Sequence, residues 1–401
     1  MKLHPLPTIL FFVVILSNNY GFGSPDDPIE PSCYTSLFIF GDSAAAAGVD
    51  FAPGNFVSNC LFPPYGETYF HHPTGRCSDG RVVADFIAQH LLGLPLLPPY
   101  PGDSINNITT LSRGANLAVA SATALDHEFL EARGSSTCQN CSLSVQLHRF
   151  RTLLNSLCSD PSNCRDKLRH SLFLVGEIGG VDYLGSNRAG LPSDEIEDLI
   201  PFVVDRIGSA IEELIELGAV SFLVPGDYPT GCFPWILTRF RSSNRSDYDP
   251  VTGCLVYHNR FSDRHNRMLR DEIERVGKLH PGASIHYAGY FESAIRIHEN
   301  PERFGFERAT INRACCGSGG PYNYEPSAGC GEAGAVACER PGSYVKWDDH
   351  HYTEAANRVI AGDVIARHRL DGFGSRARAR SAGVTVGRRM KRETCAGISD
   401  G

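Results

Sequence analysis

The chain has 401 residues, 42% of them apolar, enough to bury a large core in a globular protein. Its net charge of −8 is uneven: residues 367–401 carry nine Lys/Arg against three Asp/Glu, a +6 tail that leaves −14 on the rest. An acidic body excludes nucleic acid as a substrate. Taken from the N-terminus, Lys2 and His4 precede an apolar run at 9–16 and a small-residue stretch at 21–24. This pattern predicts a secretory signal over residues 1–23 and an extracellular protein. The run is too short to cross a bilayer, so no transmembrane segment is expected.

Short apolar runs then alternate with longer helical patterns, which predicts a parallel sheet in one α/β domain over residues 34–366. In chain order the reading is strand 37–40, helix 82–92, strand 115–119, helix 144–157, strand 172–175, helix 196–217, strand 220–224, helix 260–276, strand 284–287 and helix 354–366. No repeat or Pro/Gly/Ser-rich linker divides this body. The tail, 367–401, lacks apolar periodicity and reads as basic and disordered. Fourteen cysteines fit a secreted chain. Candidate disulfides are Cys158 with Cys164, Cys232 with Cys254, pairs within Cys315, Cys316, Cys330 and Cys338, and Cys138 with Cys141. Sequons predict N-glycans at Asn107, Asn140 and Asn244.

The first predicted strand ends in Gly41-Asp42-Ser43. A serine just beyond a buried strand presents its hydroxyl at the carboxyl edge of an α/β sheet, where ligands bind. Far downstream, Trp347-Asp348-Asp349-His350-His351 places a carboxylate three residues before an imidazole. That spacing lets Asp348 bond one ring nitrogen of His351 while the other faces a nucleophile, the division of labour of a serine hydrolase. His350 and Asp349 are rival base and acid on spacing alone. The serine is not in a Gly-x-Ser-x-Gly elbow, and there is no Walker loop, dinucleotide fingerprint or zinc protease motif.

Several longer blocks occur in order: Phe38-Ile39-Phe40-Gly41-Asp42-Ser43, Pro63-Pro64-Tyr65-Gly66-Glu67-Thr68, Gly114-Ala115-Asn116-Leu117-Ala118, Gly176-Glu177-Ile178-Gly179-Gly180 and Asp249-Pro250-Val251-Thr252-Gly253-Cys254. On these the chain resembles the plant GDSL esterase/lipase family of SGNH-type hydrolases over roughly residues 34–366. The resemblance implies a three-layer α/β/α fold with a five-stranded parallel sheet. It also implies Ser43 as nucleophile, His351 as base and Asp348 as acid, with no metal or cofactor. Three positions depart from the family pattern. Ala46 stands where a second aspartate is usual, and Ser121 where a glycine supplies an oxyanion N–H. Val181 stands where an asparagine amide completes the oxyanion hole. A hole made by Ser43, Ser121 and position 181 is therefore short of one side-chain donor.

Two functions follow as expectations. One is a secreted serine esterase or lipase acting on small-molecule or lipid esters through an acyl-enzyme on Ser43, attenuated by the reduced hole. The other is a ligand-binding or interaction protein on the same fold with catalysis faded. The identity of the ester and the oligomeric state are not legible in the sequence.

Overall fold

A computed structural model describes residues 34–48, 58–100, 111–135 and 137–372. The signal segment, Asn107 and the tail beyond residue 372 lie outside the described residues. Five strands, β1 Ser36–Phe40, β2 Gly114–Asn116, β3 Ser171–Val175, β4 Ser221–Pro225 and β5 Ser284–Ala288, form one sheet in the order β2-β1-β3-β4-β5. Every neighbouring pair is parallel. β1 and β3 are buried along their whole length, because helices cover both faces of the sheet.

Alternation along β1 shows the two faces. Phe38 and Phe40 point into one core, packed by the Leu143–Leu157, Ile200–Leu217 and Val256–Leu279 helices through Phe150, Ile207, Ile211 and Leu269. Leu37 and Ile39 point into the other, packed by the Tyr290–Glu299 and Glu354–Gly372 helices through Ala294, Ile297, Ile360 and Val364. The result is the expected α/β/α sandwich. β2 can lie against β1 only because it opens with Gly114: a Cβ there would sit 1.7 Å from the Leu37 carbonyl oxygen. A third, smaller core gathers Trp347, Tyr65 and the disulfides Cys60–Cys77, Cys315–Cys338 and Cys316–Cys330 under the loop that carries Asp348 and His351.

All five predicted strands are present, and the differences have local causes. The ladder of β2 ends at Asn116, although Leu117 and Val119 still donate to Ile39 and Gly41. The predicted helix 196–217 is two, Ser193–Glu197 and Ile200–Leu217, divided where Pro201 must sit in a first turn. The predicted helix 82–92 is one α turn, Val83–Phe86, continued by a π turn, Ile87–Leu91. The last helix runs to Gly372, past the predicted end at 366, with Arg367 paired to Asp363. Cys158–Cys164, Cys232–Cys254 and Cys138–Cys141 pair as foreseen.

Candidate active site

The strand order reverses beside β1: its chain neighbours β2 and β3 lie on opposite sides. Loops leaving β1 and β3 therefore diverge and open a crevice at the carboxyl edge. Ser43 occupies the β1 loop. That loop is fixed by buried Gln146, whose side chain accepts from the Gly41 N–H at 2.9 Å and donates to the Gly41 carbonyl at 2.9 Å. Asp42 adds a second clamp, accepting from the Ala44 N–H at 2.8 Å. Ala46 is fully buried in the same turn.

The downstream loop comes to the same place. His351 Nε2 lies 2.8 Å from Ser43 Oγ, and its Nδ1 lies 2.7 Å from Asp348 Oδ2. Asp348 Oδ1 accepts the backbone N–H groups of His350 at 3.0 Å and His351 at 2.7 Å, while the Tyr65 hydroxyl donates to Oδ2 at 2.8 Å. The i to i+3 spacing thus works twice: it closes the turn and aims the carboxylate at the ring. Burial alone would raise the pKa of Asp348, but the adjacent His351 and these donors outweigh it and hold the carboxyl below its usual range. Burial is also the largest influence on His351 and lowers its pKa, so the ring is neutral and able to accept a proton. The rivals His350 and Asp349 bond each other at 2.8 Å instead.

The cavity at Ser43 is lined by Val181, Leu184, Tyr228, Phe233 and Tyr352, by both histidines, and by Asp42, Glu177 and Asp227. Position 181, in the first turn of the Gly180–Ala189 helix, presents valine to this space. Ser121 is not part of the lining; it adopts a left-handed backbone, φ 66°, tolerable for serine at a modest cost. Asp182, next to Val181, does structural work: it accepts the N–H groups of Ala124 at 2.8 Å and Leu125 at 3.0 Å. Asn140 and Asn244 are exposed. Asp348, His350 and His351 offer ligand atoms close enough to share a metal ion, but both ring nitrogens of His351 are already engaged.

Sequence reasoning missed the acidic trio. Burial pushes Asp42 up to about 6 and Asp227 up to about 7, and it pushes Glu177 well above the usual carboxylate range, with Asp42 and Asp227 adding repulsion. The linkage to stability has a definite sign. An Asp227 that ionises at an ordinary 3.8 when unfolded and at about 7 when folded keeps a proton that the unfolded chain has lost. Its contribution is complete below the lower value and is lost as pH rises through the higher one. Asp227→Asn removes that loss. Its Tm relative to wild type is therefore expected to rise by about 1–3 °C between about pH 5 and about pH 8, measured by calorimetry. A difference independent of pH would show that Asp227 is ionised throughout.

A five-stranded parallel sheet with a hydrogen-bonded serine, histidine and aspartate beyond its carboxyl edge has the architecture of a serine hydrolase. The sequence matches the GDSL-like lipase/acylhydrolase family model over residues 37–364, and the chain belongs to that family. It is 44% identical to GDSL esterase/lipase At1g31550 of Arabidopsis thaliana, over 91% of this chain and 90% of that protein. Identity is 46% to GDSL esterase/lipase At1g28600 of the same plant, over 83% and 84%. Identity is 43% to sinapine esterase of Brassica napus, over 84% and 87%. The chain is a carboxylic ester hydrolase, and the reading as a faded binding protein is not favoured.

Proposed function

We propose that the protein is a secreted esterase that works through an acyl-enzyme on Ser43. His351 takes the Ser43 proton as the hydroxyl attacks the ester carbonyl, then returns it to the leaving alcohol. Asp348 fixes the ring's tautomer and stabilises its cation. Water, activated by the same histidine, releases the acid. The N–H of Ser43 holds the oxyanion; Ser121, the second donor position expected from the family pattern, does not line the cavity, and Val181 leaves this hole without a side-chain donor. The observation that carries the reading is the unbroken line from Ser43 Oγ through His351 to Asp348, with contacts of 2.8 and 2.7 Å.

Secretion is supported by the N-terminal pattern and by twelve paired cysteines, with no free one among the described residues. N-glycans are proposed at Asn107, Asn140 and Asn244. The similarity to a sinapine esterase makes sinapine the first ester to assay, beside short aryl and long acyl esters. A fluorophosphonate, which reports the nucleophile whatever the natural ester, is expected to label Ser43 stoichiometrically. Labelling of another serine, or none in folded protein, would overturn the assignment.

A further inference from the structure

The imidazole of His351 does not stand alone. The His350 ring lies against it, with centroids 3.8 Å apart and planes inclined by 40°. His350 has its own carboxylate: its Nδ1 lies 2.8 Å from Asp349 Oδ1. Asp349 is held in turn, since its other oxygen accepts from Arg188 at 3.2 Å. The backbone carbonyl of Asp349 also accepts from the Trp235 N–H at 3.1 Å. The His350 side chain is 24% exposed and lines the same cavity as Ser43. Two histidine–carboxylate pairs thus sit face to face, and only one of them reaches the serine.

Packing alone does not require this arrangement, because any flat apolar side chain could cover His351. An imidazole bonded through Nδ1 to an anchored carboxylate is stabilised as its cation. Two rings in contact cannot both take a proton without mutual repulsion. Both have a carboxylate on Nδ1, but His350 is the more exposed, 24% against 9% for His351, so a charge there costs less desolvation and His350 takes the first proton. We propose that His350 is a positioning residue for the base: as an imidazolium held by Asp349, it keeps His351 unprotonated, and so able to accept the Ser43 proton, in acidic surroundings. This rests on the assignment of His351 as the base.

The surrounding charges are consistent. His350 faces Asp348, Asp349 and His351 in its own loop, Arg188 from the Gly180–Ala189 helix, and Asp42 from the loop after β1. Burial and Arg188 oppose its charge, whereas Asp349 and Asp348 favour it, and the balance lies above the ordinary histidine value. For His351 burial acts downward first, Asp348 upward, and His350 downward again, leaving the ring below that value.

The test follows the pH dependence of two signals: the rate of fluorophosphonate labelling at Ser43, and the ring-proton NMR titrations of both histidines. It compares wild type, His350→Gln and His350→Arg. His350→Gln is expected to raise the acid midpoint of labelling by about half to one pH unit, slowing labelling about three- to tenfold on the acid side of the midpoint. His350→Arg, which keeps a positive charge, is expected to hold the midpoint near the wild-type position. In wild type the His350 ring is expected to titrate at higher pH than His351. An unchanged midpoint in His350→Gln, or an equal shift with arginine, would overturn the proposal. So would the reverse titration order in wild type, a measurement that needs no variant to fold. Failure of the base assignment looks different: labelling would be absent, or would survive His351→Ala, while the two ring titrations could still be read.

Discussion

Ser43→Ala and His351→Ala are each expected to lower kcat for ester hydrolysis by about 10³-fold or more, with little change in KM. Ser43 Oγ, His351 and Asp348 form a single bonded line, so under the proposed mechanism any break removes the concerted attack and proton transfer. The double variant should therefore be scarcely worse than either single one, because residues that act as a unit do not lose activity additively. His350→Ala should cost far less, since its ring bonds Asp349 and not the serine. The measurement is kcat and KM on a short aryl ester, with labelled active sites counted. If His350→Ala were the more damaging change, the base would be misassigned.

Val181→Asn is expected to raise kcat by about tenfold or more. In a related setting, deletion of one side-chain oxyanion donor costs about 10²–10³ in kcat, about 2.7–4 kcal/mol. Val181 faces the cavity from the first turn of its helix, so an amide there starts from the right side of the reacting carbon. The gain should fall on kcat and leave KM nearly alone, because the charge it meets develops only in the transition state. Some stability is lost, since an amide replaces an apolar side chain in a half-buried site. Ser43→Ala/Val181→Asn should be as inactive as Ser43→Ala. A folded Val181→Asn no faster than wild type would mean that another donor already fills the hole.

Much of this was legible in the sequence. β1, β3 and β4 are buried or nearly so and read as apolar runs; β5, half-exposed at the sheet edge, and β2, which is Gly-Ala-Asn, were found without that signal. The line from Ser43 to His351 and Asp348 was legible because two of its members lie in one turn and the third follows a strand. The Tyr290–Glu299 helix was not: it opens after Gly289 without a side-chain cap, immediately beyond β5. The acidic trio escaped for a different reason. Asp42, Glu177 and Asp227 follow β1, β3 and β4, and only the order of strands in the sheet brings them together. Tyr65 sat in a recognisable block, yet nothing local tells that its hydroxyl supports Asp348, 283 residues away. Within the cysteine-rich stretch, the pairing of Cys315 with Cys338 and of Cys316 with Cys330 is a property of the folded chain.

The two arms of the site rest on different foundations. Ser43 stands on the apolar sheet core, whose cohesion is set by water. Asp348 and His351 stand on the small core around Trp347, where covalent sulfur bridges replace much of the missing apolar mass. A thiol reductant therefore acts most directly on this second arm, although the Cys138–Cys141 and Cys158–Cys164 bridges also border the sheet core. Reduction is expected to let His351 drift from Ser43 before the sandwich unfolds. Heat removes shape and chemistry together; reduction is expected to take the chemistry first.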